Sequence, residues 1–165
     1  MERRYGIKRK EAIMIILAIE TSCDETSVAV VKANGGIGQP RFEALSNIVL
    51  SQIKTHAEWG GIVPSLAKRE HSKNLIPILK KSLEKAGLLN SKGKKQKAKL
   101  QSASWRTNFR LLTSIFKREP ELLEQFSEFI PKIKTPKIDA IAVTIGPGLE
   151  PALWVGINFA NLALG

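Results

Sequence analysis

Residues 14–20, MIILAIE, form a continuous apolar run rich in isoleucine, the pattern of a strand buried on both faces of a sheet. The polar turn SCDET follows. Residues 27–33, SVAVVKA, return to Val-rich strand character, so the two runs predict a hairpin. Asn34, Gly35, Gly36 and Gly38 supply the next turn, and residues 42–52, FEALSNIVLSQ, read as a third strand with looser alternation. From Pro64 the period changes. Leu66, Ala67, Leu75, Ile76, Leu79, Leu83 and Ala86 recur at helical spacings with Lys and Arg between them, and Gly87 marks an end. Pro77 lies inside this pattern and should kink the helix or divide it near Ile76.

Residues 90–104, NSKGKKQKAKLQSAS, are lysine-rich and without period, and read as a linker or loop. Residues 105–130 carry apolar positions at helical spacing interrupted by Pro120, which predicts two short helices, the second opening at that proline. After Pro131 and Pro136, residues 138–145, IDAIAVTI, form another buried-type strand. The turn Gly146-Pro147-Gly148 and an apolar helix from about Glu150 complete the chain. The fold class is therefore α/β. Three strands followed by alternating helix and strand match, by analogy, the opening of the ribonuclease-H-like half-domain of the actin/Hsp70/sugar-kinase superfamily. That half-domain has one strand more than this chain supplies, so the domain over 14–165 is expected to be incomplete, with one side of the sheet and the apolar helix 150–164 left sticky.

A length of 165 residues, 43% of them hydrophobic and 25% charged, suits one core. Twelve Gly, eight Pro and no repeat set aside collagenous, disordered and solenoid classes. The formal charge of +11 admits RNA, DNA, nucleotides or anionic lipid as partners. The lone Cys23 permits no internal disulfide and no Cys-pair metal site, which favours a reducing cytoplasm. Basic residues before the apolar run 12–19 imitate a signal peptide, but the run ends in Glu20 and falls short of the roughly 20 residues that span a bilayer. No membrane association is expected. Met14 is an alternative initiator, with residues 1–13 then a basic extension.

Residues 20–27, ETSCDETS, pack acids and hydroxyls into a turn between two strands. Such a turn can hold phosphate oxygens on N–H groups and hydroxyls, while Asp24 or Glu25 positions a cation or a water. It can equally be a hairpin turn whose Ser, Thr and Asp cap their own backbone. Gly146-Pro147-Gly148 precedes a helix N-terminus, where an anion is favoured, or is simply a tight connection requiring glycine. His56 and His71 lack metal-pair spacing and suit packing or surface roles. Cys23 has no candidate base nearby in sequence, so nucleophilic catalysis is not indicated. The run Lys92 to Lys99 is a solvated segment or, more pointedly, a tRNA-contacting arm.

Three stretches, LAIETSCDETSVAVV, SQIKTHAEWGGIVPSLAKREH and IDAIAVTIGPGLEPALWVGINFANLALG, closely resemble the family of tRNA threonylcarbamoyladenosine transferases, TsaD or Gcp. The resemblance implies an actin-like fold, an iron or zinc ion, and threonylcarbamoyl-adenylate as donor. It also implies transfer to N6 of adenosine beside the tRNA anticodon, with partner proteins forming a complex. It assigns Asp24 a catalytic or positioning role and places Thr21, Ser22, Glu25, Thr26, Gly146 and Gly148 at the substrate or nucleotide. Ser65 and Lys68 depart from the family's usual Glu and Ser, and residues 90–137 replace a short connection as an insertion. The family's His-x-Glu-Gly-His metal motif is absent, so no metal ligand is expected here, and the chain alone should be inactive. A noncatalytic scaffold relative and a small-molecule kinase half-domain are the competing readings.

Overall fold

A computed structural model of the chain describes residues 13–35, 39–89, 119–134 and 136–164. The basic extension, the lysine-rich segment and the first helix predicted after Trp105 lie outside the described residues. Strands β1 (Met14–Glu20), β2 (Glu25–Asn34) and β3 (Arg41–Ser51) come first, then helices α1 (Ile53–Ala57) and α2 (Pro64–Lys85). Helix α3 (Pro120–Phe129), a 3-10 turn (Ile130–Lys132), strand β4 (Ala140–Val143) and helix α4 (Glu150–Leu164) follow.

The strands form a four-stranded mixed sheet in the order β3-β2-β1-β4. The predicted hairpin is present: β1 pairs antiparallel with β2, Leu17 opposite Val30 and Glu20 opposite Ser27. β3 continues the meander with a register shift at Val30/Val31. β4 lies parallel to β1, Ile19 opposite Val143, which brings the ends of both strands to one edge of the fold. Parallel neighbours require a long crossover, and the chain from α1 to α3 supplies it.

Burial alternates along β1 and β2, contrary to the expectation of strands enclosed on both faces. Leu17, Ile19, Val28 and Val30 enter the core, while Ala18 and Ala29 point to the other face and stay half-exposed. The reason is that α2 and α4 pack against one face, with α3 laid on α2, and among the described residues nothing covers the second. The core joins Leu75, Leu79 and Leu83 of α2, Leu122 of α3, and Val155, Phe159 and Leu162 of α4 to the strands. Their three- and four-residue spacing places each set on one helical stripe. The apolar helix after Glu150 is therefore seated rather than left sticky, with Trp154 on its exposed side.

Pro77 does not divide α2, which runs unbroken for 22 residues. Proline removes the N–H that would bond the carbonyl four residues earlier. That carbonyl, on Lys73, instead accepts a hydrogen bond from Gln125 Nε2 of α3 at 3.1 Å. A second tie holds α3: Glu119 at its N-terminus, with its side chain 1% exposed, pairs with Lys68 Nζ of α2 at 3.0 Å. Its other oxygen accepts from Asn158 Nδ2 of α4, also at 3.0 Å.

Candidate functional site

Because β1 and β4 are parallel neighbours, the loops that leave their C-terminal ends are brought side by side. Three sets of contacts join the end of β1 and the loop 21–24 to the turn 144–149 and to the helix α4 that follows it. The Leu149 N–H donates to the Ser22 carbonyl at 2.7 Å. Thr21 Oγ1 donates to the Ala152 carbonyl at 3.0 Å and accepts from the Gly156 N–H at 3.1 Å. The Glu20 carboxylate takes the Ser22 N–H on one oxygen at 2.6 Å and the Thr144 hydroxyl on the other.

Glycine is needed at two of these contacts for space. A Cβ on Gly148 would stand 2.6 Å from the Ser22 carbonyl oxygen, and one on Gly156 would stand 2.7 Å from Thr21 Oγ1. The turn includes a cis Gly146–Pro147 bond.

The residues named from sequence thus fall into two groups. Ser22 and Asp24 are half-buried, and Glu25, Gly146 and Gly148 are exposed, all at the joined strand ends. Thr21 and Thr26 are fully buried and face inward. The Thr21 hydroxyl serves α4, and the Thr26 hydroxyl lies 2.8 Å from His71 Nδ1. Their positions hold the loop, while the first group lines it. Beside the loops, on the uncovered sheet face, is a depression of about 270 Å³ lined by Ala18, Glu20, Ser27, Ala29, Ala142 and Thr144 among others.

Burial opposes ionisation of Glu20, but hydrogen bonds from Ser22 and Thr144 outweigh it and leave the carboxyl below its ordinary 4.5. Glu20 is accordingly an anion at neutral pH that binds two loops together. Burial, reinforced by the Asp24 carboxylate, raises the Cys23 thiol above its ordinary value and keeps it protonated, the opposite of an activated nucleophile. Burial also lowers His71, with the Cys23 carbonyl and the Glu20 charge opposing in part. Both histidines are buried.

Sequence reasoning did not single out Glu20 within its acidic stretch, and it gave His71 a packing or surface role without naming its partners. A carboxylate closing a buried apolar run was the available signal for Glu20. Nothing local announces His71, whose partners Cys23 and Thr26 are distant in sequence.

Among the described residues no cluster of three or more His, Cys, Asp or Glu side chains is arranged to hold a metal ion. No described helix is long and apolar enough to cross a membrane.

Residues 43–92, covering most of β3 with α1 and α2, match the sequence model of a family described as TsaD, tRNA N6-adenosine threonylcarbamoyltransferase. A protein of that name from Persephonella marina is 35% identical over 148 residues, 90% of this chain and 28% of the relative. One from Koribacter versatilis is 38% identical over 147 residues, 89% of this chain and 25% of the relative. A third, from Fusobacterium nucleatum, is 37% identical over 148 residues, again 28% of its length. The chain thus spans between a quarter and three tenths of these curated relatives. Nine tenths of the chain aligns with these relatives, and over that length it is similar to proteins named tRNA N6-adenosine threonylcarbamoyltransferase, the family whose sequence model its residues 43–92 match.

Proposed function

We propose that this chain forms the part of a tRNA threonylcarbamoyltransferase that cradles the phosphate end of an adenylate donor. The observation that carries the reading is the joining of the loop 21–24 to the turn 144–149 through Glu20 and the Leu149–Ser22 bond, with Thr21 tying the same loop to α4. In this reading the Ser22 hydroxyl and the N–H groups of Gly146 and Gly148 meet phosphate oxygens, and Glu25 borders the same edge. Thr21 and Thr26 keep the loop in shape. The strand order β3-β2-β1-β4 supports the ribonuclease-H-like, actin-type half-domain, with residues 90–137 as its insertion.

The reaction is acyl transfer. The N6 nitrogen of adenosine in tRNA bonds to the carbamoyl carbon of threonylcarbamoyl-adenylate, the carbon–oxygen bond to the phosphate breaks, and adenylate departs. The nitrogen sheds one proton, and in this reading Asp24, half-buried in the loop, receives it or orients the amine. N–H donors around the phosphate stabilise the charge that grows on the leaving group. Iron or zinc, where the whole protein holds it, would supply Lewis-acid orientation of the donor from ligands outside the described residues. The charge of +11 suits tRNA as acceptor. Partner proteins and a cytoplasmic location accompany this assignment.

The test is a chimera. Residues 14–165 replace the matching segment of the Persephonella marina relative, and threonylcarbamoyladenosine in tRNA is measured by nucleoside mass spectrometry after incubation with donor. Transfer that falls at least a hundredfold on Asp24→Ala is expected. A folded chimera with no transfer, or one indifferent to Asp24→Ala, contradicts the reading.

A further inference from the structure

Behind the loop 21–24 lies a buried polar chain to which the proposed reaction assigns no role. It begins at the loop between α1 and α2, where the Val63 N–H donates to His56 Nδ1 at 3.4 Å. His56 Nε2 is 3.1 Å from Gln52 Oε1. Gln52 Nε2 lies 3.2 Å from His71 Nδ1, which also faces Thr26 Oγ1 at 2.8 Å. His71 Nε2 is 3.0 Å from the Cys23 carbonyl oxygen. Gln52, His56, His71 and Thr26 are each at most 3% exposed, so none of these bonds is easily replaced by water.

The proton positions follow from the two ends. A backbone N–H can only donate, so His56 Nδ1 accepts and its Nε2 carries the hydrogen. Gln52 must then turn its oxygen to His56 and its amide nitrogen to His71. At the far end a carbonyl can only accept, so His71 Nε2 carries the hydrogen and Nδ1 is the acceptor shared by Thr26 and Gln52. Gln52 Nε2 is also 3.4 Å from His71 Nε2, but two donors cannot bond each other. Both ends demand the same polarity, and the lowered basicity of buried His71 agrees with a neutral ring.

We infer that Gln52 is a positioning residue: through His71 it fixes the Cys23 carbonyl and hence the Cys23–Asp24 turn, and through His56 it couples that turn to the 58–63 loop. The functional meaning rests on the proposed reading of the turn as part of a phosphate site. The relay itself does not. Gln52 also holds the turn by its backbone, its N–H donating to the Asp24 carbonyl at 2.7 Å, and a side-chain substitution leaves that bond in place.

The test uses the 165-residue chain, with histidine tautomers read from long-range proton–nitrogen spectra at neutral pH. Both rings are expected neutral with hydrogen on Nε2. Hydrogen on Nδ1 of either ring, or averaging between tautomers as in an unfolded peptide, overturns the relay. Gln52→Glu keeps an acceptor for His56 but sets an acceptor against His71 Nδ1, so His71 is expected to take a second proton and become cationic. Gln52→Leu should shift the amide signals of residues 23–26 and of 59–63 together. Ser46→Ala removes the buried Ser46–Ser82 bond outside the relay and should leave tautomers and turn signals unchanged. A Gln52→Leu spectrum no different at residues 23–26 from that of Ser46→Ala also overturns the inference. Adenosine monophosphate serves as probe for the site: an affinity lowered several-fold by Gln52→Leu supports the link to function. Correct tautomers in a chain that binds no nucleotide leave the relay standing and count against the phosphate site alone.

Discussion

The two faces of the sheet were built from the same strands and differ in almost every other respect. On the helix side, Leu17, Ile19, Val28 and Val30 meet Leu75, Val155 and Phe159, and Phe126 sets its ring edge-on to Phe159 with centroids 5.9 Å apart. On the other side the same strands present Ala18, Ala29 and Ala142, with Glu20, Ser27 and Thr144 around the depression. Period-two alternation assigns bulky residues to one face and small or polar ones to the other. An unbroken apolar run in β1 conceals that alternation, because alanine and isoleucine count equally as apolar. Size, more than hydrophobicity, separates the faces here.

The largest test of the contrast is Phe159→Ala. Phe159 is 1% exposed, and its loss should cost about 3–5 kcal/mol through lost burial and a residual cavity, read by chemical denaturation. A cost near zero would mean the helix face is not packed as described. Glu119→Ala comes next. It removes the buried carboxylate that pairs with Lys68 and accepts from Asn158, and because the Lys68 side chain is 27% exposed and can rehydrate, about 1–3 kcal/mol is expected. Loss of α3 alone, seen as hydrogen exchange in residues 120–129 without change in the sheet, is the accompanying signature.

The pH dependence is smaller. Both Glu20 and His71 have depressed folded values, so for each the unfolded chain binds the proton more readily. Stability is then full above the ordinary values and is lost as pH falls. His71 begins to contribute its loss below 6.5 and Glu20 below 4.5, each ceasing once pH passes the folded value. Glu20→Gln should flatten the lower step and His71→Asn the upper one in thermal midpoints measured from pH 7.5 to 3.5. Ala142→Leu on the uncovered face is the smallest, within about 0.5 kcal/mol, since Ala142 is exposed. A cost comparable to that of Phe159→Ala would show that the second face is enclosed after all.

Much of the architecture was legible because glycine, proline and polar clusters punctuate it. The hairpin at SCDET, the start of α2 at Pro64, the start of α3 at Pro120 and the turn before α4 all follow local rules. What local rules misjudged was settled at a distance. Pro77 is tolerated because Gln125, far along the chain, takes over the carbonyl it orphans. Lys68 pairs with Glu119, a residue far along the chain. In the site, the loops were recognisable, but the division of their hydroxyls was not. Thr21 and Ser22 are neighbours in sequence, and only the placement of α4 over β1 decides that one turns inward.

The central claim is that the loop 21–24 and the turn 144–149 act as one anion cradle. It is tested most directly by titrating the 165-residue chain with adenosine monophosphate and following backbone amide signals. The account requires the signals of Ser22, Cys23, Gly146 and Gly148 to move together along one binding curve, and Gly148→Ala, which drives a Cβ into Ser22, to weaken that curve. Shifts confined to lysine-bearing surface away from these residues, or separate curves for the two loops, would contradict it.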